Sequence, residues 1–112
     1  MSTIEKDELS LPALRQKIDQ LNEEARQIWR QDPTLALEKA KKAELLTASP
    51  LFAVEPYNFG LVISQAHQAN AQIVLGNFAE GLQLAIAADS GAKTEQDSVC
   101  RIFALGALGH AY

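Results

Sequence analysis

Residues Ser64 to Ala88 read SQAHQANAQIVLGNFAEGLQLAIAA, and they decide the fold. Before the break at Leu75-Gly76-Asn77-Phe78, Val62, Ala66, Ala69 and Ile73 recur at intervals of four, three and four, one face of an α-helix. After it, Phe78, Leu82, Ala85 and Ala88 recur at four, three and three, again helical. Gly76 and Asn77 both tolerate the left-handed backbone that ends a helix. Asn77 reads as the N-cap of the second helix, with Glu80 completing a capping box. So short a connection makes the two helices antiparallel neighbours. Ala66, Ala69, Gly81, Ala85 and Ala88 let the axes approach closely, and Phe78 and Leu82 are expected to fill the gap beside them.

Working outward, the chain on either side looks like weaker copies of this hairpin. Ser10 is an N-cap candidate and Pro12 sits in the first turn, where its missing N–H costs nothing. Leu14, Ile18, Leu21, Ala25, Ile28 and Trp29 then form an apolar stripe to about Gln31, with Arg15, Lys17, Asp19, Glu23 and Arg26 opposite. Asp32-Pro33 caps and starts a second helix to about Thr47. Its inner face is Ala36, Ala40 and Ala43, and Glu38 is expected to pair with Lys42 at i,i+4. Ser49 to Tyr57 carries Pro50 and Pro56, which break a helix of ordinary length. Its Leu51, Phe52, Val54 and Tyr57 predict an ordered loop folded over the helix ends. Asn58 is expected to cap a third helix to Leu75, the fourth to end at Ser90-Gly91, and Ala92 to Asp97 to be a polar connection. A fifth helix starts near Asp97 or Ser98 and is still in full pattern at Tyr112, which predicts a piece of a longer chain. The reading is an all-α fold of about five helices arranged as antiparallel helix-hairpin repeats. Residues 1–9 are expected to be a disordered N-terminus and residues 10–112 the helical domain.

Composition agrees. The chain has 112 residues, enough for one domain, with 47% apolar and 21% charged residues, too apolar for a disordered chain. Alanine and leucine dominate, which favours helix. A net charge of -4 argues against a nucleic-acid partner, since phosphates need a basic surface. One cysteine, Cys100, excludes an internal disulfide and suits a reducing compartment. The start, MSTIEKDELSL, lacks a signal-peptide core, and no apolar run approaches the ~18 residues of a membrane span. A cytoplasmic location is expected.

Repeats are visible at longer range. Gln31-Asp32-Pro33-Thr34-Leu35-Ala36-Leu37 parallels Gly76-Asn77-Phe78-Ala79-Glu80-Gly81-Leu82, with Ala36 and Gly81 45 residues apart. Ala69 and Gly109 correspond 40 residues apart. On these residues the chain resembles the tetratricopeptide repeat family. Leu75-Gly76-Asn77-Phe78 matches the family's corner between helices. Gly81, Ala85 and Ala88 match its second-helix positions, as do Ala36, Ala40 and Ala43. Leu108-Gly109-His110-Ala111-Tyr112 matches a further first helix. The departures are a spacing longer than the family's ~34 residues, Glu24 where a small residue is expected, and Gln68 where a large apolar one is. The resemblance implies a right-handed superhelix whose first helices line a concave binding surface. A narrower likeness rests on Ser49, Pro50, Tyr57, Gly60 and Leu61. It is to amino-terminal segments of bacterial signalling proteins, in which helical repeats precede a diguanylate cyclase, nucleotide cyclase or histidine kinase domain.

Several residues could carry chemistry. His67 stands among Gln65, Gln68, Asn70 and Gln72, a polar strip that could line a partner-binding groove; the plainer reading is a solvated helix face. Neither His67 nor His110 has a second ligand at i+3 or i+4, so no metal site is expected. Cys100 near a helix start could be reactive, but a buried small residue is the commoner case. Asp19, Glu23 and Glu24, and Lys39, Lys41 and Lys42, read as solvated charges. Trp29 reads as core, or as a binding anchor if exposed. No glycine-rich phosphate loop, catalytic triad or cofactor motif is present. The function expected is a non-catalytic protein-interaction or self-association module, an input or scaffold region of a bacterial signalling protein such as a diguanylate cyclase. Its partner would be another protein or itself, as a homodimer through Val99, Ile102, Phe103 and Tyr112. The alternative is a sensor of a small ligand bound between helices. A polar-lined buried pocket including His67 would favour it.

Overall fold

The computed structural model describes residues 10–95 and 97–112, and the expected disordered residues 1–9 lie outside them. The fold is all-α. Among the described residues five helices follow one another: α1 Leu11–Ile28, α2 Pro33–Thr47, α3 Asn58–Val74, α4 Phe78–Thr94 and α5 Ser98–Ala111, with one 3-10 turn at Pro50–Phe52. No strand occurs among the described residues. None of the five helices is long and apolar enough to cross a membrane.

The local signals at the start of the chain act as read. Ser10 Oγ accepts from the Ala13 N–H at 3.4 Å, and Asp32 Oδ1 accepts from the Leu35 N–H at 3.1 Å. Gly76 takes φ +90°. The Asn77 N–H reaches the Gln72 carbonyl at 2.8 Å and the Gly76 N–H reaches Ile73 at 3.0 Å. That paired closure of the last turn requires a left-handed residue, which a Cβ would strain. Other local expectations need correction. Asn77 is the N-cap residue of α4, its carbonyl accepting from the Gly81 N–H at 2.9 Å, but its side chain makes no cap bond; its Nδ2 donates to Gln72 Oε1 at 2.7 Å, tying the corner back to α3. Asn58 is the first helical residue of α3 rather than its cap, and its Nδ2 donates to the Gly91 carbonyl and to Thr94 Oγ1, both at 3.3 Å. Helix α4 runs through Ser90-Gly91 to Thr94 and buries Ala92. The reason is tertiary: a Cβ on Gly91 would lie 2.7 Å from Val62 Cγ2, so glycine here admits α3 instead of ending α4. Phe78 is exposed rather than filling the hairpin gap, and Val54 is 97% exposed in a loop whose buried anchor is Phe52. Helix α1 ends at Ile28, one turn before Gln31. Lys39 pairs with Glu24 of α1 at 2.9 Å, and the expected Glu38–Lys42 pair is not among the ion pairs of the described residues.

Consecutive helices pack against one another throughout, α1 on α2, α2 on α3, α3 on α4 and α4 on α5. The start of α3 meets the end of α4 through Asn58 and Gly91, while Gly81 near the start of α4 lies against Ala69 and Ile73, so this pair is antiparallel. Alternate helices also meet: α1 packs on α3, and α3 on α5. These run parallel. Asn22 reaches Gly60, Trp29 and Asn70 line one cleft, His67 meets Phe103, and Asn70 meets His110. Helices α2 and α4 touch at most marginally. The odd-numbered helices therefore form one continuous row, with α2 and α4 splayed behind them.

The core explains this spacing. Ala25, Ala36, Ala40 and Ala71 are fully buried where α1, α2 and α3 converge. Ala66, Ala69, Ala85, Ala88, Ala104 and Ala107 do the same for α3, α4 and α5, with Val62, Ile63 and Cys100. Methyl side chains at these points let backbones approach closely without voids. Leu14, Ile18, Leu21, Ala43 and Phe52 close the amino-terminal end.

Candidate functional site

The row of α1, α3 and α5 carries two clefts in line. The first, about 330 Å³, lies between Asp19, Asn22, Glu23 and Arg26 of α1, Phe59, Ile63 and His67 of α3, and Val99 and Phe103 of α5. The second, about 620 Å³, continues the same three faces one to two turns further on, at Trp29 and Arg30, Asn70 and Val74, and Gly106 and His110. Helical periodicity places these residues together. On each helix they recur at three and four, so each helix contributes one stripe to a shared surface.

The first cleft combines an acidic rim with a buried polar floor. Arg26 grips Glu23, Nε to Oε1 at 2.8 Å and Nη2 to Oε2 at 2.5 Å, and Gln27 donates to Oε2 at 3.1 Å. The Arg26 hydrogen bond holds the Glu23 carboxyl down to about 2, and Glu23 in turn raises Arg26. Both side chains are largely exposed, so the pair contributes little to stability. Asp19 Oδ1 accepts from the Tyr57 hydroxyl at 2.7 Å. Burial, and then Asp19, push the Tyr57 phenol up.

Beneath this rim lie Asn22, 3% exposed, and His67, 1% exposed. Asn22 Nδ2 donates to the Gly60 carbonyl at 3.2 Å, where Ile18 and Tyr57 already crowd the Gly60 Cα. Its Oδ1 is buried without a partner, and so is His67 Nδ1. Burial pushes His67 down to about 4, with Arg26 adding to the effect and Glu23 opposing it. The imidazole is therefore neutral at pH 7, with a lone pair on one nitrogen. It meets Phe103 edge-on, centroids 5.1 Å apart. A buried polar atom left unpaired costs about 1–3 kcal/mol, and two residues that line this cleft each carry one.

The predicted polar strip divides when placed on α3. His67 lines the first cleft and Asn70 the second. Gln68 is buried on the opposite side and donates to Glu44 Oε1 of α2 at 2.6 Å. Gln72 is buried as the acceptor for Asn77, and half-buried Gln65 lines neither cleft. The five residues thus do not form one solvated face: Gln68 and Gln72 are structural ties between helices. The predicted self-association set divides as well. Val99 and Phe103 turn into the first cleft, whereas Ile102, 67% exposed, and Tyr112, 86% exposed, face away.

In the second cleft, Trp29 is half-buried between the Arg30 guanidinium, 4.5 Å from its ring centroid, and the His110 ring at 5.4 Å. The His110 imidazole donates from Nδ1 to Asn70 Oδ1 at 2.9 Å. Cys100 is buried behind the clefts, its thiol directed at the Phe59 carbonyl at 3.8 Å and pushed up to about 12 by burial, with Asp97 and Glu95 adding to it. Among the described residues no group of three or more His, Cys, Asp or Glu is placed to hold a metal ion.

Sequence reasoning passed over Asn22, Phe59 and the Asp19–Arg26 face. A signal existed: Asn22 interrupts an otherwise apolar stripe between Leu21 and Ala25, where an unpaired amide is costly. Comparison of the chain with known protein families, curated proteins and solved structures returns no match.

Proposed function

We propose that this chain is a non-catalytic protein-interaction module whose recognition surface is the face of α1, α3 and α5. The observation that carries the reading is the pair of clefts in line across three parallel helices, with apolar walls and polar anchors in both. An extended segment lying along that face would meet Phe103 and His67 in one cleft and Trp29 and Val74 in the other. Following the narrower likeness that rests on Ser49, Pro50, Tyr57, Gly60 and Leu61, such a module in a longer chain serves as the input or scaffold region of a bacterial signalling protein such as a diguanylate cyclase. Binding would then change how output domains meet. The test is selection of peptides from a displayed library, followed by affinity measurement on two variants. Val74→Arg, in the second cleft, should abolish binding, and Ile86→Arg, on exposed α4 surface, should not. Peptides indifferent to Val74→Arg, or no selectable peptide at all, would end this reading.

A second reading, self-association, is favoured by one observation. Ile102, Leu105 and Tyr112 are exposed on one face of α5 at helical spacing. Light scattering at ~100 μM, above typical weak-dimer affinities, should then show a dimer that Ile102→Asp converts to monomer. A monodisperse wild-type monomer excludes it. The small-ligand alternative draws on the unpartnered Asn22 and His67 atoms.

A further inference from the structure

We infer that the first cleft takes a cationic nitrogen group on a short apolar stem, the head of an arginine or lysine side chain in a bound peptide segment. The inference rests on the interaction-module reading and adds the chemistry of what is recognised.

Asn22 sets the polarity. Its Nδ2 donates to the Gly60 carbonyl, and turning the amide over would set its oxygen against that carbonyl oxygen, two acceptors with no proton between them. Oδ1 is then a buried acceptor, on a residue that lines the cleft, with no donor to satisfy it. The neutral His67 adds a second unpartnered nitrogen, Nδ1, on the same lining. Water can bridge such atoms, but the charge around them favours a cation. Glu23 and Arg26 cancel each other, while Asp19 has no ion-pair partner among the described residues. The cleft lining therefore keeps one uncompensated negative charge beside the unsatisfied acceptor of Asn22. Phe59 and Phe103 wall it with aromatic surface, which suits both a methylene stem and a cation. A carboxylate or phosphate would bring lone pairs against Asn22 Oδ1 and negative charge beside Asp19. At about 330 Å³ the space is at the small end of ligand pockets, the scale of one long side chain.

The experiment is an NMR titration of the ¹⁵N-labelled chain with acetyl-Gly-Gly-X-Gly-Gly-amide peptides, X being arginine, its neutral isostere citrulline, leucine or glutamate. The arginine peptide should shift the Asn22 side-chain amide and the His67 and Phe103 signals, and should bind about tenfold or more tightly than citrulline. Asp19→Asn keeps the acceptor for Tyr57 and removes the charge; it should weaken the arginine peptide several-fold and leave the citrulline peptide unchanged. Asn22→Leu should weaken both. Equal binding of arginine and citrulline, tighter binding of glutamate, or indifference to Asp19→Asn overturns the inference. So does the absence of any peptide-induced shift at Asn22, which would mean that water alone fills the cleft. If library-selected peptides without a basic residue bind and are lost with Val74→Arg, the interaction module stands and this inference falls. If free methylguanidinium binds as tightly as the arginine peptide, the cation chemistry stands and the peptide reading gives way to a small-ligand sensor.

Discussion

Acidification should weaken this protein first through His67. The ring is 1% exposed, and its titration point falls from 6.5 to about 4, chiefly by burial and then by Arg26. The charged groups that bear on it are Arg26 and Glu23 of α1, while α5 presents the apolar Phe103. The unfolded chain takes up the proton first, so between pH 6.5 and 4 it holds more protons than the folded one. Stability therefore rises with pH through that window and is lost as acid is added. Integrating the linkage, the loss is about 0.8 kcal/mol at pH 6, about 2 at pH 5 and about 3 at pH 4, after which this group's contribution levels off. Against the ~5–15 kcal/mol of a typical domain this is large. Glu23, lowered from 4.5 to about 2, acts only at the acid end of that window and below it, and being exposed it acts weakly. The assay is urea unfolding followed by far-ultraviolet circular dichroism at several values between about pH 7 and 4. His67→Gln, which does not titrate, should remove most of the slope above about pH 4.5. Parallel wild-type and variant curves there, or an imidazole whose NMR signals titrate near 6.5, would refute a buried neutral His67.

Three further outcomes follow from packing. Ala40→Leu, at a fully buried point between α1, α2 and α3, should cost about 1–3 kcal/mol by overpacking, read as a lower urea midpoint with an unchanged slope. Gly76→Ala has free space around the new methyl but a φ of +90°, so its cost of about 1 kcal/mol is purely conformational, and Gly76→Asn should cost less in the same assay. Cys100, buried with its thiol pushed up to about 12, should react with a thiol reagent far more slowly in the native protein than in urea, and a native rate close to the unfolded one would show the site to be open.

Much of the architecture was legible because it is written in short-range periodicity. The apolar stripes of α1 and α3, the caps at Ser10 and Asp32, and the Gly76 corner all act within one or two turns, where spacing and backbone preference suffice. The buried alanines of α2 and α4 were legible for the same reason. Helix ends that depend on a neighbour were not. Gly91 looks like a terminator until Val62 is seen against it, Asn58 looks like a cap until its amide is seen bonding elsewhere, and Asn77 holds the cap position with its side chain turned back to Gln72. The candidate site was the least legible part. Glutamine, histidine and asparagine along α3 look alike as a string. Which are spent tying helices together, as Gln68 to Glu44 and Gln72 to Asn77 are, is decided by elements distant in the chain. Periodicity alone marked out the helices and the small residues that let them close. Only the packing of α1, α3 and α5 in one row made a cleft, because a cleft is a property of three separated segments and a side chain becomes unpartnered only when its neighbours are in place.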